Sequence, residues 1–261
     1  MLKGLWTAAT GMAAMQLHID VTANNLANVN TTSFKKSRSE FQDLMYQTLR
    51  LPGATTAAGN QLPTGIQVGM GAKPAGVHKV FSQGDYNQTD NEFDLAIEGK
   101  GFFKVLSNNE EVYTRAGDFK LDSEGYICTS GGDRLEPEIN IDPEAISISI
   151  DSGGRLVVWG PNTETPLAEE DIRLHSFPNP AGLYSMGRNL YRPTEASGEA
   201  VEGIPGLDGL GTIAQGYLEM SNVNVVEEMV SMIISQRAYE ANSKAIQTAD
   251  NMLQMANNIK R

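Results

Sequence analysis

His18, His78, His175 and Cys128 are the side chains best suited to hold a metal or to act as base and nucleophile. The three histidines stand far apart and none forms a His-x-x-x-His pair, so no metal-ligand spacing is present. His18 reads as a surface or interfacial residue. A single cysteine excludes an intrachain disulfide and a thiolate cluster, and in its strand-like setting Cys128 reads as a small buried hydrophobe. Adjacent acids at Glu110-Glu111 and Glu169-Glu170 could serve glycoside hydrolysis only if two carboxyls faced one cleft, whereas neighbouring acids in strands and turns ordinarily face solvent. The run Gly206-Leu207-Asp208-Gly209-Leu210-Gly211 lacks the strand and helix that would make it a dinucleotide loop. No Gly-x-Ser-x-Gly motif occurs. No catalytic, cofactor-binding or metal-binding residue is therefore assigned, no cofactor is expected, and the chain reads as a non-enzyme. The competing reading is a carbohydrate-binding or hydrolytic β domain acting on peptidoglycan.

Charge sharpens this. Residues 91–210 hold nine Lys/Arg against twenty-two Asp/Glu, a balance of −13 that the rest of the chain offsets only slightly to the formal total of −12. An acidic body lacks the basic face that phosphate binding needs, so nucleic acid is not an expected partner. No run of 18 apolar residues is present, which excludes a membrane-spanning helix. No apolar h-region follows Lys3, so by itself the N-terminus reads as that of a cytoplasmic protein.

The elements divide the chain into three. All eleven prolines lie between Pro52 and Pro205, and proline costs about 3 kcal/mol in a helix interior. The proline-free ends read as long helices. Leu2, Leu5, Ala9, Met12, Gln16, Ile19, Ala23 and Leu26 recur in steps of three and four, a coiled-coil seam on a helix from about residue 2 to 28. The run from Asn24 to Thr32 then favours caps and turns. Asn224 reads as the N-cap of a last helix reaching about Ile259, with Glu227 at N3. Its stripe runs Val223, Val226, Val230, Ile234, Ala238, Ala241, Ala245, Thr248, Met252, Met255 and Ile259. One extra step of four relaxes the supercoil toward near-straight helices. Met229, Met232, Met252 and Met255 fit either core packing or an adaptable contact surface.

Between the arms the signals are β. Short candidates at 93–98, 101–106, 112–115, 119–121, 126–128, 146–150, 156–159 and 172–177 are separated by Asn-, Asp- and Gly-rich turns. Residues 51–76 exclude a helix and read as an extended β excursion or a segment ordered by a neighbour. The expected fold class is α+β: terminal helices packed as a coiled-coil-like bundle, an inserted sandwich- or barrel-like β domain, and an extended linker. The expected division is a helical core at 1–33 and 218–261, a connecting segment at 34–92 and 205–217 with an insertion near 46–76, and an acidic β domain at 93–204.

Three motifs carry a resemblance. Ala23-Asn24-Asn25-Leu26-Ala27-Asn28-Val29-Asn30-Thr31-Thr32-Ser33-Phe34-Lys35 resembles the N-terminal signature of the bacterial flagellar rod and hook proteins. Glu98-Gly99-Lys100-Gly101-Phe102-Phe103 resembles their central motif. Residues 220–230, with Gln236-Arg237-Ala238-Tyr239-Glu240-Ala241-Asn242 and Lys244-Ala245, resemble their C-terminal signature. The order and span match, and residues 46–71 look most like the distal-rod members. Ser33 stands where many relatives carry glycine, which a positive φ would favour.

The resemblance implies a structural subunit polymerising into a straight tubular drive shaft, with proximal-rod and hook subunits as the alternative members. It implies export through the flagellar type III apparatus without a cleaved signal peptide, which replaces the cytoplasmic expectation with a rod crossing the periplasm. The implied partners are further copies of the chain, adjacent proximal-rod and hook subunits, the surrounding ring bushing and the export apparatus, with no membrane insertion. The residues expected at subunit contacts are Leu2, Leu5, Met12, Ile19, Asn24, Asn25, Leu26, Asn28 and Phe34 in the first arm. In the last arm they are Val226, Val230, Ile234, Ala238, Ala241, Met252 and Met255.

Overall fold

A computed structural model describes residues 2–53, 63–142, 145–160 and 166–259. The chain divides into two compact units: Met1–Ala27, Ser37–His78 and Asn224–Arg261 form one, and Asn28–Lys36 with Lys79–Val223 the other.

The first unit contains helices α1 (Leu2–Ala27) and α2 (Val225–Ile259). Asn224 caps α2: its Oδ1 accepts from the Val226 and Glu227 amides at 3.0 and 3.4 Å, satisfying two of the donors a helix start leaves free. The helices run antiparallel, since His18 meets Ser231, Asn25 meets Glu228 and Gly11 meets Asn242. Two β ribbons complete the unit, Ser37–Asp43 beside Ala72–Lys79, and Tyr46–Arg50 antiparallel to Ile66–Gly69. The expected β excursion is thus a hairpin with exposed faces, and its residues 54–62 lie outside the described part.

The second unit is β. A seven-stranded sheet is ordered Tyr184–Gly187, Leu190–Arg192, Glu110–Thr114, Phe103–Ser107, Arg134–Leu135, Ile127–Thr129, Phe119–Leu121. A three-stranded sheet (147–150, 155–159, 168–171) and the pair Leu95–Glu98 with Thr212–Gln215 accompany it. Leu95, Ile97, Phe103, Leu156, Ile172 and Leu174 lie in one apolar core. Phe102, Tyr113, Phe177 and Tyr191 form a second, edge-to-face aromatic cluster. Each β segment expected from the sequence between 93 and 177 overlaps a strand, with bounds shifted by one or two residues in most. The α+β class holds, but the barrel does not: among the described residues every sheet is open. Many short strands with regular turns specify sheet content, while closure depends on long-range pairing that period-two patterns do not encode.

Candidate assembly interface

The two helices meet through small and polar side chains. Ala8, Ala14, Thr22 and Asn25 are the buried residues of α1, and Ser235 is buried on α2. Gly11 allows the closest approach: a Cβ there would come within 3.0 Å of Asn242 Nδ2. The apolar seam read from the sequence is a different face. At 100° per residue, Leu5, Met12 and Ile19 lie about a third of a turn from the Ala8–Gly11–His18–Asn25 line. They are only half-buried, and Ala9, Gln16 and Ala23 are exposed.

The same offset recurs on α2. Val226, Val230, Ile234, Ala241, Met252 and Met255 are exposed, Val226 at 70% and Ile234 at 63%, while neighbouring Ser235 is 2% exposed. Ala238 is half-buried between the two faces. The coiled-coil seam is therefore corrected as an intramolecular contact. Large apolar residues mark a stripe that needs burial, but small residues win the close intrachain approach because they let the backbones come nearer. The side chains of Leu2 and Ile259 lie outside the described part.

The remaining expected residues separate by role. Asn24 is exposed and Leu26 half-buried. Asn25 is buried and grips the following strand: its Oδ1 accepts from the Ser37 amide at 2.8 Å, and its Nδ2 donates to Ser37 O at 2.9 Å and Glu228 Oε2 at 3.2 Å. Asn28 Oδ1 accepts from the Thr31 hydroxyl at 3.2 Å, a turn contact. Phe34 is buried in the second unit beneath the Lys79 ammonium, 4.6 Å from its ring centroid.

Within the second unit the first two motifs meet at one buried ionic cluster, whose acid, Glu219, directly precedes the third. Lys35 Nζ lies 2.5 Å from Glu219 Oε1, and Arg115 Nε lies 2.6 Å from Glu219 Oε2. Lys35 also donates to Ser82 O at 2.7 Å, and the Gly84 amide to Glu219 Oε1 at 2.9 Å. Arg115 spends its other donors on Gly101 O, Gly99 O, Ile97 O and Gln83 Oε1. Burial, reinforced by the Arg115 charge and opposed by Glu219, pushes the Lys35 ammonium down to about 8. Asn222 braces the adjoining backbone, accepting from the Lys36 amide at 2.8 Å and donating to Val80 O at 2.8 Å. Arg115 and Glu219 escaped the sequence reading. A charged residue inside an apolar strand pattern at Arg115 was the only available signal.

The hydrolytic alternative loses its geometric basis at the acid pairs that raised it. Glu110-Glu111 and Glu169-Glu170 are consecutive strand residues, so each pair points to opposite faces, and all four are exposed. Glu111 and Glu110 do not share a cleft; Glu111 pairs with Lys104 at 2.8 Å.

Comparison with known proteins matches all three motif regions. Profiles described as flagella basal body rod protein, flagellar hook protein FlgE/F/G D1 domain, and flagellar basal body rod FlgEFG protein C-terminal match residues 5–35, 96–158 and 214–259. They define a protein of the flagellar rod and hook class. The chain is 48% identical over 264 residues to the flagellar basal-body rod protein FlgG of Borreliella burgdorferi, covering 100% of each. It is 46% identical over 255 residues to FlgG of Buchnera aphidicola subsp. Schizaphis graminum, covering 97% of this chain and 98% of that one. With FlgG of Caulobacter vibrioides it shares 44% over 261 residues, covering 99% and 100%. The chain belongs to the FlgG family of flagellar basal-body rod proteins.

Proposed function

We propose that this chain is a structural subunit of the distal flagellar rod, polymerising helically into a straight tube that transmits torque. Membership of the rod family makes it a structural protein of the basal body, not an enzyme, with rod and hook subunits as neighbours. The observation that carries the assembly reading is the pair of apolar stripes offset from the face the helices share. An exposed stripe of Val226, Val230, Ile234, Met252 and Met255 runs along a 35-residue helix, and an aligned row of exposed apolar residues marks an interaction surface. Repeated heterologous contacts between α1 stripes and α2 stripes of successive copies do not close on themselves and so build a helical filament.

Leu5, Met12, Ile19 and Leu26 are assigned to this contact with Val226, Val230, Ile234, Met252 and Met255. Ala241 lies within the α2 stripe, and Asn25 holds α1 in place through Ser37 and Glu228. In this reading the helices form the inner wall, at 1–33 and 218–261, and the acidic body at 93–204 forms the outer wall and spacer. The hairpin around 46–76 stiffens the shaft, the ring bushing surrounds it, and the flagellar type III apparatus exports the subunit uncleaved into the periplasm-spanning rod. The test is Leu26→Asp in a motile host: rods should be absent while the β unit remains folded. A Leu26→Asp subunit that builds normal rods would sink the proposal. Deleting 46–71 separates distal-rod from hook assignment, since only the former predicts loss of a straight shaft with the β unit intact.

A further inference from the structure

His18 is held on both sides. Its Nδ1 lies 2.7 Å from Ser39 Oγ on the strand Ser37–Asp43, and its Nε2 lies 3.0 Å from Ser231 Oγ on α2. The Phe41 ring packs edge-on at 6.1 Å. Seven residues on, Asn25 brackets both main-chain groups of Ser37 and reaches Glu228. These two residues lie two turns apart on one face of α1, and each touches the same strand and the same opposing helix. Besides them, the buried residues of α1 are the small Ala8, Ala14 and Thr22, that of α2 is Ser235, and Gly11 faces Asn242. Small side chains make shallow grooves, and an antiparallel pair of this kind has little packing energy to distinguish one register from a neighbour one turn away. A polar residue satisfied in only one register supplies that distinction.

We infer that His18 and Asn25 are positioning residues that lock the axial register of α1 against α2 and against strand Ser37–Asp43. A neutral imidazole donates from one nitrogen and accepts at the other, and the Ser39 and Ser231 hydroxyls can take either role, so both bonds form in one tautomer. A slip of one turn that sets His18 beside Ser235 instead of Ser231 carries Asn25 from Glu228 to Met232, so the buried amide loses its partner on α2 and supplies the discrimination that His18 lacks in that direction. The register in turn sets how the exposed stripes of α1 and α2 align along the helix pair. That last consequence rests on the assembly reading; the register lock itself does not.

Cross-linking reads the register directly in the full-length chain. With Cys128→Ala, no native thiol remains. A Cβ at position 11 comes 3.4 Å from Asn242 Cγ, where the sulfur of a cysteine at 242 sits, so Gly11→Cys with Asn242→Cys reports the native register. Gly11→Cys with Ala238→Cys or Ile246→Cys reports a slip of one turn. The native pair should oxidise at least about tenfold faster than either slipped pair, and in His18→Ala/Asn25→Ala the ratio should fall toward one. His18→Gln, which keeps a donor and an acceptor, should restore most of it. Should the double alanine variant lose its helices by circular dichroism, Ser39→Ala/Ser231→Ala removes both His18 bonds with little change in bulk and, with Asn25 still in place, should show a smaller fall in the same direction. A ratio unchanged in the folded variants, or no preference in the parent, overturns the inference. Rod formation by the parent is scored separately: its failure would count against the assembly reading and leaves the cross-linking result standing.

Discussion

Lys35 and Glu219, 184 residues apart in sequence, are joined by a 2.5 Å ion pair from which water is excluded on both sides. Arg115 completes the cluster from the other carboxylate oxygen, so one anion faces two cations. Removing a partner from a buried pair costs about 3–5 kcal/mol, because the remaining charge is left uncompensated. Glu219→Gln strands two cations and should fall at the top of that range. Lys35→Met leaves the Arg115–Glu219 pair intact and should cost less. Urea unfolding followed at Trp159, in the β unit, ranks the two variants; equal destabilisation would show that the cluster is not organised around Glu219.

The same lysine makes stability depend on pH in an unusual direction. Its folded value is lowered to about 8, against roughly 10.4 for an unfolded lysine. Between these values the unfolded chain binds more protons, so unfolding free energy climbs with pH, by up to about 1.4 kcal/mol per unit. Burial pushes the Tyr191 phenol up, which acts oppositely once unfolded tyrosines ionise near pH 10. The difference in stability between wild type and Lys35→Met should therefore rise from pH 8 to 9.5. Other groups cancel in that difference, and a flat line would refute the assignment.

Ser33 sits at φ +55°, buried, with its amide donating to Glu219 O at 2.7 Å. A residue with a Cβ pays about 1–2 kcal/mol in the left-handed region. Ser33→Gly relieves that strain but loses the 3.4 Å hydroxyl contact to Glu219 O and adds unfolded-state freedom worth about 0.4–1 kcal/mol. A net gain of up to about 1 kcal/mol is expected, and Ser33→Val should lose more than that. Thermal melts of both variants decide it; a destabilised glycine variant would mean that the hydroxyl outweighs the backbone.

Much of the fold was legible where local chemistry is enough. The strand Phe119–Leu121 coincides with its expected span, and Ile148 and Ile150 turn inward as their alternation requires. The α2 start was readable because Asn224 caps it through its own side chain. What failed was non-local. Thr212–Gln215 pairs with Leu95–Glu98, yet its mixed polarity makes no strand signal by itself. Glu219 is one more acid in an acidic chain until Lys35 and Arg115 arrive beside it. The apolar heptad marked residues that must be buried somewhere, and could not say that Gly11 and Ala14 would claim the intrachain contact first.

Ile234 and Ser235 turn that last distinction into a measurement. Adjacent on α2, they are 63% and 2% exposed. Ile234→Asp places a charge on the outer stripe. In the isolated subunit it should change stability by no more than about 0.5 kcal/mol, the usual range for a surface substitution. In a filament it would bury an unpaired carboxylate, and polymerisation should stop. Ser235→Leu does the reverse: overpacking the tight helix contact should cost about 1–3 kcal/mol and lower helical content by circular dichroism before any effect on assembly of the folded fraction. Sedimentation of the polymer and subunit melts, run on both variants, separate the two faces. Matching behaviour of Ile234→Asp and Ser235→Leu would mean that one helix surface serves both purposes, and the offset stripes would lose their meaning.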